Sequence, residues 1–138
     1  MQGRLLPKYQ GRYQAHPKGY WQKEYKIAKA LDLDCIEFIL DFNDAESNPL
    51  LLSGGIEEII ETCEISGITT KTICADYFMQ APIHSRNESV ASNSLNVLSR
   101  LLHTSYKLEV TDIVIPCVDQ SSLNNKKAIE RFVLRMKT

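Results

Sequence analysis

Three apolar runs, each ending in an aspartate, set the pattern of hydrophobic and polar positions along the chain. The runs are IEFILD at residues 36–41, ITTKTICAD at residues 68–76 and IVIPCVD at residues 113–119. Runs of this length and β-branched content are typical of buried strands. The terminal aspartates Asp41, Asp76 and Asp119 are 35 and 43 residues apart, which leaves room each time for a loop, a crossover helix and the next strand. The pattern therefore predicts repeated βα units.

Segments of helical periodicity separate the runs. Helices are predicted over about residues 20–31, 56–66, 88–106 and 125–137. The residues predicted to face inward are Trp21, Tyr25, Ala28 and Leu31, then Ile56, Ile59, Ile60 and Cys63, then Ala91, Leu95, Leu98 and Leu102, and finally Ile129, Phe132, Val133 and Met136. A short strand ending within residues 1–6 and a long loop over residues 7–19 precede the first helix. Strand and helix thus alternate four times, which predicts a parallel sheet with right-handed crossovers.

Alternation within the predicted strands, which cover residues 35–41, 68–76 and 112–119, separates two faces of the sheet. One face carries the three aspartates with Glu37, Ile39, Thr72, Cys74, Ile115 and Cys117, and the other carries Ile36, Phe38, Leu40, Ile73, Ala75, Val114, Pro116 and Val118. A doubly wound sheet is apolar on both faces, whereas the inner face of a barrel becomes polar near its top. The sequence therefore predicts an α/β fold in which four βα units form the first half of a (β/α)8 TIM barrel, with parallel strands and outer helices.

The length of the chain limits this prediction to part of a barrel. Its 138 residues amount to a single domain, but a complete barrel of this type needs about 250 residues. We therefore expect residues 1–138 to be one partial TIM-barrel domain. It would be either a fragment of a longer protein or one part of an assembly, a homo-oligomer or a complex with a complementing C-terminal half.

Composition excludes several classes of protein. The net charge is −1, although residues 1–30 hold seven Lys or Arg beside one Glu, and residues 31–65 hold ten acidic residues and no basic one. This balance does not favour nucleic acid as a partner, and the basic segment is either a solvated surface or an attraction for a phosphorylated ligand. No apolar run is long enough for a membrane span, so the expected location is cytoplasmic. The four cysteines are scattered singly, which favours reduced thiols over a metal site.

Several short motifs, taken together, carry a resemblance to a known family. They are MQGR at residues 1–4, IEFILD with the following NPL, ICADYFM at residues 73–79, APIHS at residues 81–85, and IVIPCVD followed by two serines. In this combination the chain resembles the N-terminal half of the sugar phosphate isomerase/epimerase proteins of the xylose isomerase-like TIM-barrel superfamily. The resemblance extends over nearly the whole chain, although each motif alone is weak.

The resemblance implies an enzyme that isomerises or epimerises a sugar or sugar phosphate. Such enzymes move a proton next to a carbonyl through an enediolate that a divalent metal stabilises, usually Mn or Mg and in some members Zn or Co. In the family, the metal ligands and the catalytic acids lie on the later strands of the barrel. The catalytic residues of this chain therefore stay unknown, no metal is expected to bind to it alone, and we expect the chain by itself to be inactive.

The resemblance also implies which residues line the substrate pocket. They are Gln2, Arg4, Glu37, Asp41, Asp76, His84, Ser85, Arg86 and Asp119. Arg4 would offer a guanidinium to a phosphate or hydroxyl. For Asp41 and Asp119 a second interpretation stays open, in which they only cap the loops that follow them. The position of Glu37 inside an apolar strand favours a role in the pocket, because a buried carboxylate needs a partner.

Three other functions compete with this interpretation. A related metal-dependent endonuclease for damaged DNA would place histidines at the ends of early strands, where this chain has Asp76 and Asp119. A flavodoxin-like signalling domain would need an acidic pair after its first strand, where this chain has Gln2 and Arg4. The remaining alternative is a non-catalytic domain derived from the barrel, which keeps only ligand binding or assembly.

Overall fold

Five α-helices and three parallel strands make up residues 5–137, the part of the chain that the computed structural model describes. In chain order they are α1 (Gln22–Ala30), β1 (Cys35–Ile39), α2 (Gly55–Ser66), β2 (Thr69–Cys74), α3 (Tyr77–Gln80), α4 (Glu88–Lys107), β3 (Asp112–Val114) and α5 (Lys126–Arg135). Single 3-10 turns cover Ala45–Ser47 and Asp119–Ser121. The predicted α/β class with a parallel sheet is confirmed. The predicted N-terminal strand falls mostly on residues 1–4, outside the described part, and Leu5 and Leu6 form a bend.

The three strands lie side by side in the order in which they occur in the chain. β1 pairs with β2 and β2 pairs with β3, both in parallel. The register between β1 and β2 shifts by one residue after Ile36, so Lys71 has no partner across the ladder. Thr70 pairs with Ile36 just before the shift, and its hydroxyl forms a 2.7 Å hydrogen bond with the hydroxyl of Tyr25, which joins α1 to the sheet.

One face of the sheet packs against the helices. Phe38, Ile73 and Ile113 share a register position, and all three pack in the hydrophobic cluster. The buried residues of that cluster also come from four helices, namely Tyr25 and Ala28 of α1, Ile59 of α2, Phe78 of α3, and Val97, Leu98 and Leu101 of α4. The helices therefore cover the same face. The opposite register position holds Ile39, Cys74 and Val114, of which Ile39 and Cys74 are buried and Val114 is exposed.

The predicted faces of the last strand were wrong. Register places Ile113, and not Val114, opposite Ile73, and Ile113 and Ile115 both pack against the core. The strand is also shorter than the predicted 112–119 and ends at Val114. Two features explain the early end. Pro116 has no N–H to donate to a ladder, and the buried hydroxyl of Ser121 folds the following turn by bonding the carbonyls of Pro116 at 3.0 Å and Val118 at 2.8 Å.

The predicted helices over residues 20–31 and 88–106 correspond to α1 and α4, and their inward faces agree only in part with the prediction. Trp21, Tyr25, Ala28, Ala91 and Leu98 are buried and Leu95 packs against the core, but Leu31 and Leu102 are more than half exposed. On α4, Val97 and Leu101 are buried instead.

The predicted helices over residues 56–66 and 125–137 correspond to α2 and α5, and their inward faces depart further from the prediction. On α2, Ile59 is buried and Cys63 packs against the core, whereas Ile60 is exposed. On α5, Ala128 is buried and Phe132 packs against the core, and the predicted inward residues Ile129, Val133 and Met136 are exposed. α5 therefore lies at the edge of the cluster with much of its apolar stripe outside it.

The ends of the helices follow local chemistry. Asn87 and Asn125 cap α4 and α5, since each side chain accepts a hydrogen bond from the first turn. Gly67 ends α2 in the left-handed conformation, with φ of 71°, which glycine adopts without strain. Within residues 5–137, none of the helices has the length and hydropathy needed to cross a bilayer.

Candidate functional site

An open cleft of about 770 Å³ lies at the carboxyl ends of the three strands. It is lined by Arg12, Tyr13, Gln14, Asp41, Asp76, Met79, Gln80, Asp119 and Gln120. The ladder continues past the strands and brings their ends together: the Leu40 N–H donates to the Cys74 carbonyl at 3.0 Å, and the Ala75 N–H donates to the Val114 carbonyl at 2.9 Å. Clefts of this size at the carboxyl edge of a parallel sheet are common sites for small ligands.

Asp41 and Arg12 form an ion pair on the wall of this cleft. The Arg12 Nη2 lies 2.7 Å from Asp41 Oδ2, and its Nη1 lies 3.4 Å from Oδ1, so the two planar groups meet side by side. Asp41 is buried, and its Oδ1 also accepts a long hydrogen bond of 3.4 Å from the Asn43 N–H. Loop capping therefore accounts for only a minor contact of Asp41, and its main partner is Arg12.

His16 is buried next to this ion pair. Its ring stacks on Phe38, with centroids 5.4 Å apart, and on Trp21 at 6.3 Å. Burial lowers the pKa of His16 from 6.5 to about 4, although the nearby Asp41 carboxylate acts in the opposite direction. His16 is therefore a neutral imidazole at physiological pH.

Asp76 and Asp119 complete the acidic side of the cleft. Asp76 is half-buried, and its Oδ1 accepts a hydrogen bond from the Cys74 thiol at 3.1 Å. Asp119 is exposed and has a left-handed backbone, with φ of 49°, which aspartate tolerates better than most residues. The structure thus brings all three aspartates at the strand ends to one cleft. Their binding role stays a prediction.

Glu37 lies apart from the aspartates. It is half-buried in the middle of β1, paired in register with Thr72, and borders a narrow gap beside His16 and Trp21. The volume of that gap, about 10 Å³, holds at most one water molecule.

The loop with His84, Ser85 and Arg86 packs against α5 instead of lining the cleft. Arg131 Nε donates to the His84 carbonyl at 3.0 Å, and Arg135 Nη1 donates to the Ser85 carbonyl at 2.7 Å. His84 is buried against Phe132, and its pKa is lowered by burial and by Arg131 and Arg135. Arg86 is exposed. The remaining predicted pocket residues, Gln2 and Arg4, lie outside the described residues.

The described residues do not provide a set of metal ligands. Within residues 5–137, no three His, Cys, Asp or Glu side chains converge closely enough to hold a metal ion. The divalent metal that the resemblance implies stays an expectation for later strands of a complete barrel.

Sequence reasoning missed Arg12, His16 and the three amides Gln14, Gln80 and Gln120. The available signal was the long loop over residues 7–19, because long loops beside rigid elements often carry function. Nothing in the spacing of residues indicated that Arg12 pairs with Asp41, since 29 residues separate them. The sequence matches no protein-family profile and no curated protein.

Proposed function

We propose that this chain forms the N-terminal half of a barrel of the sugar phosphate isomerase/epimerase type, and that its cleft binds the hydroxyl groups of a ketose or ketose phosphate. The observation that carries the proposal is the convergence of Asp41, Asp76 and Asp119 with Arg12 around one cleft at the carboxyl edge of the sheet. Carboxylates accept hydrogen bonds from hydroxyls, whereas the guanidinium donates them and amides do both. A cleft lined by such donors and acceptors matches the hydroxyl groups of a polyol.

The topology of the sheet supports the barrel part of the proposal. The strand order β1-β2-β3 runs without a reversal, and α1, α2, α3 and α4 all contribute buried residues to a single cluster with Phe38 and Ile73. A flavodoxin-like sheet reverses its strand order at the binding site and carries helices on both faces. A singly wound sheet with helices on one face is the arrangement that closes into a barrel.

The role proposed for this chain is binding and orientation. Isomerisation or epimerisation of a ketose needs a base beside the carbon next to the carbonyl and a positive group at the developing oxyanion. Arg12 is held by Asp41, and none of the three aspartates is assigned as that base. Further βα units, from the same polypeptide or from a second chain, would supply the reacting groups and the rest of the barrel.

The proposal is tested by nuclear magnetic resonance titration of the ¹⁵N-labelled 138-residue chain with ketopentoses, ketohexoses and their phosphates. We expect amide shifts to concentrate on residues 12–14, 41, 76–80 and 119–120. Replacement of Asp119 with Ala is expected to weaken binding severalfold, since this exposed carboxylate lines the cleft.

The matched control is Asp112→Ala, the same substitution at an exposed position at the other end of β3. It is expected to leave binding unchanged. The proposal fails if no sugar shifts any amide, if the shifts fall outside the cleft, or if the two variants weaken binding equally.

A further inference from the structure

The charge of the cleft restricts the ligand beyond what the proposed function states. Among residues 5–137, three carboxylates, on Asp41, Asp76 and Asp119, line it together with one guanidinium, that of Arg12. That guanidinium already faces Asp41 with two of its nitrogens, and Nη1 also donates to the Gln14 carbonyl at 3.4 Å. Among the described lining residues, the positive charge is thus neutralised and two negative charges remain.

Three further described cations do not line the cleft and have partners of their own. Lys8 lies over the ring of Tyr13, 4.9 Å from its centroid, and is not a lining residue. Arg131 and Arg135 donate to carbonyls of the loop over residues 83–85. Phosphate recognition in proteins normally uses an arginine fork or a lysine that is free to face the anion. The described wall offers no such group.

We propose that the group bound in the cleft, beside the Arg12–Asp41 pair and facing Asp76 and Asp119, is the uncharged polyol part of a sugar, and that Asp41 sets this preference by occupying Arg12. The inference rests on the proposed function and names the chemical class that the site takes. Carboxylate oxygens and amides pair well with vicinal hydroxyls, whereas a phosphate dianion in the same place is repelled by Asp76 and Asp119. The preference is electrostatic, so added salt weakens it.

The test compares matched pairs of ligands on the full 138-residue chain. Each pair is a neutral ketopentose or ketohexose and the same sugar with a terminal phosphate, titrated at equal ionic strength. The neutral member of at least one pair is expected to bind about tenfold more tightly than its phosphate. This ratio of the two affinities is expected to fall as salt is added.

Two variants locate the cause of the preference. Asp41→Asn frees the guanidinium of Arg12, so binding of the phosphate is expected to improve relative to the neutral sugar. Asp119→Asn removes an exposed charge without touching the ion pair and is expected to change the ratio in the same direction, which keeps the test valid if Asp41→Asn does not fold. The control Asp34→Asn changes the total charge equally at an exposed position near the other end of β1 and is expected to leave the ratio unchanged.

The possible failures are distinguishable. Tighter binding of the phosphate member in every pair where binding occurs overturns this inference and leaves sugar binding in place. An equal change of the ratio in Asp119→Asn and Asp34→Asn also overturns it, because the effect would then come from net charge alone. The absence of binding by both members of every pair overturns the proposed function and this inference together.

Discussion

The carboxylate of Asp41 shows how single residues determine the chemistry of the cleft. It is only 4% exposed, and a carboxylate buried to this extent needs partners that replace the lost water. Arg12 supplies the replacement from the loop before α1. The ion pair therefore holds that loop in place and also lowers the positive charge available to a ligand.

Replacement of Arg12 with Gln is expected to destabilise the fold. The buried carboxylate of Asp41 would keep only the long hydrogen bond from Asn43 and whatever contact the amide can make, at a cost of about 2 kcal/mol in the free energy of unfolding. Urea denaturation at pH 7 measures this cost. Arg86→Gln is the control, since Arg86 is exposed, and an equal loss in both variants would contradict the role given to the pair.

The lowered pKa of His16 predicts that the stability of the fold depends on pH. Its pKa in the folded protein is about 4, below the value of 6.5 for an unfolded chain, so only the unfolded state gains a proton as the pH falls from 6.5 toward 4. Stability contributed by His16 is therefore full above pH 6.5 and decreases by about 2 kcal/mol between pH 7.5 and pH 5. Urea denaturation at several pH values measures the slope.

The variant His16→Leu is expected to lose this part of the slope. The exposed His103→Leu variant should retain it and serves as the control. If the slopes of wild type and His16→Leu coincide between pH 7.5 and pH 5, the buried neutral state assigned to His16 is wrong.

For single residues of the candidate site, the sequence predicted those whose place follows from strand geometry and missed those whose place depends on the path of a loop. Asp41, Asp76 and Asp119 were identifiable because the carboxyl ends of parallel strands meet at one edge. The path of the loop over residues 7–19 brings Arg12 to the cleft and His16 near Asp41, and no periodic pattern predicts that path. The loop containing His84 was misplaced for the same reason, since Arg131 and Arg135 draw its carbonyls to α5.

Among the elements, those with a long periodic segment or a clear cap were predicted best. α4 was expected over residues 88–106 and is observed at Glu88–Lys107, with Asn87 as its cap. β3 was predicted too long because an apolar run continues through Pro116, although the ladder cannot. The stripe of α5 was read correctly as apolar, but its burial depends on what packs against it and not on its own sequence.

The start of α2 gives a prediction for one element. Gly55 is its first residue, and a Cβ placed there would collide with the backbone carbonyl of Pro49. Alanine has the higher helix propensity, but here Gly55→Ala is expected to destabilise the protein by about 2 kcal/mol, since backbone must move.

Thermal or urea denaturation checks this expectation. Glu61→Ala, an exposed substitution on the same helix, is the control and is expected to lie within about 0.5 kcal/mol of wild type. A Gly55→Ala variant as stable as wild type would contradict the close packing of Gly55 on Pro49.

For the whole molecule, the edge of the sheet at β3 is the main feature. Ile39 and Cys74, on the face opposite Phe38 and Ile73, are each only 4% exposed, whereas Val114 on β3 is 45% exposed and Ile129 and Val133 of α5 are similarly exposed. An exposed apolar side chain on the last strand of the described sheet is available for packing against a further strand or a second copy of the chain. This distribution agrees with the proposal that a further half of a barrel completes the sheet.

We expect the purified chain to associate at high concentration, and we expect Val114→Lys to shift it toward the monomer. Sedimentation velocity over a concentration series measures the effect. The control is Leu102→Lys, which places the same charge at an exposed apolar position of α4, 54% exposed, and should leave association unchanged. A wild-type chain that stays monomeric at every concentration would contradict the half-barrel proposal.

The consecutive order of the strands also bears on how the chain folds. Cys35 pairs with Thr69 and Thr72 pairs with Asp112, so each ladder closes a loop of 34 or 40 residues and skips no strand. The entropy lost in closing a loop grows only slowly with its length, and short sequence separations favour fast folding. During synthesis, β1, α2 and β2 can therefore pair before β3 leaves the ribosome. The wall of the cleft is thus assembled strand by strand from its N-terminal side.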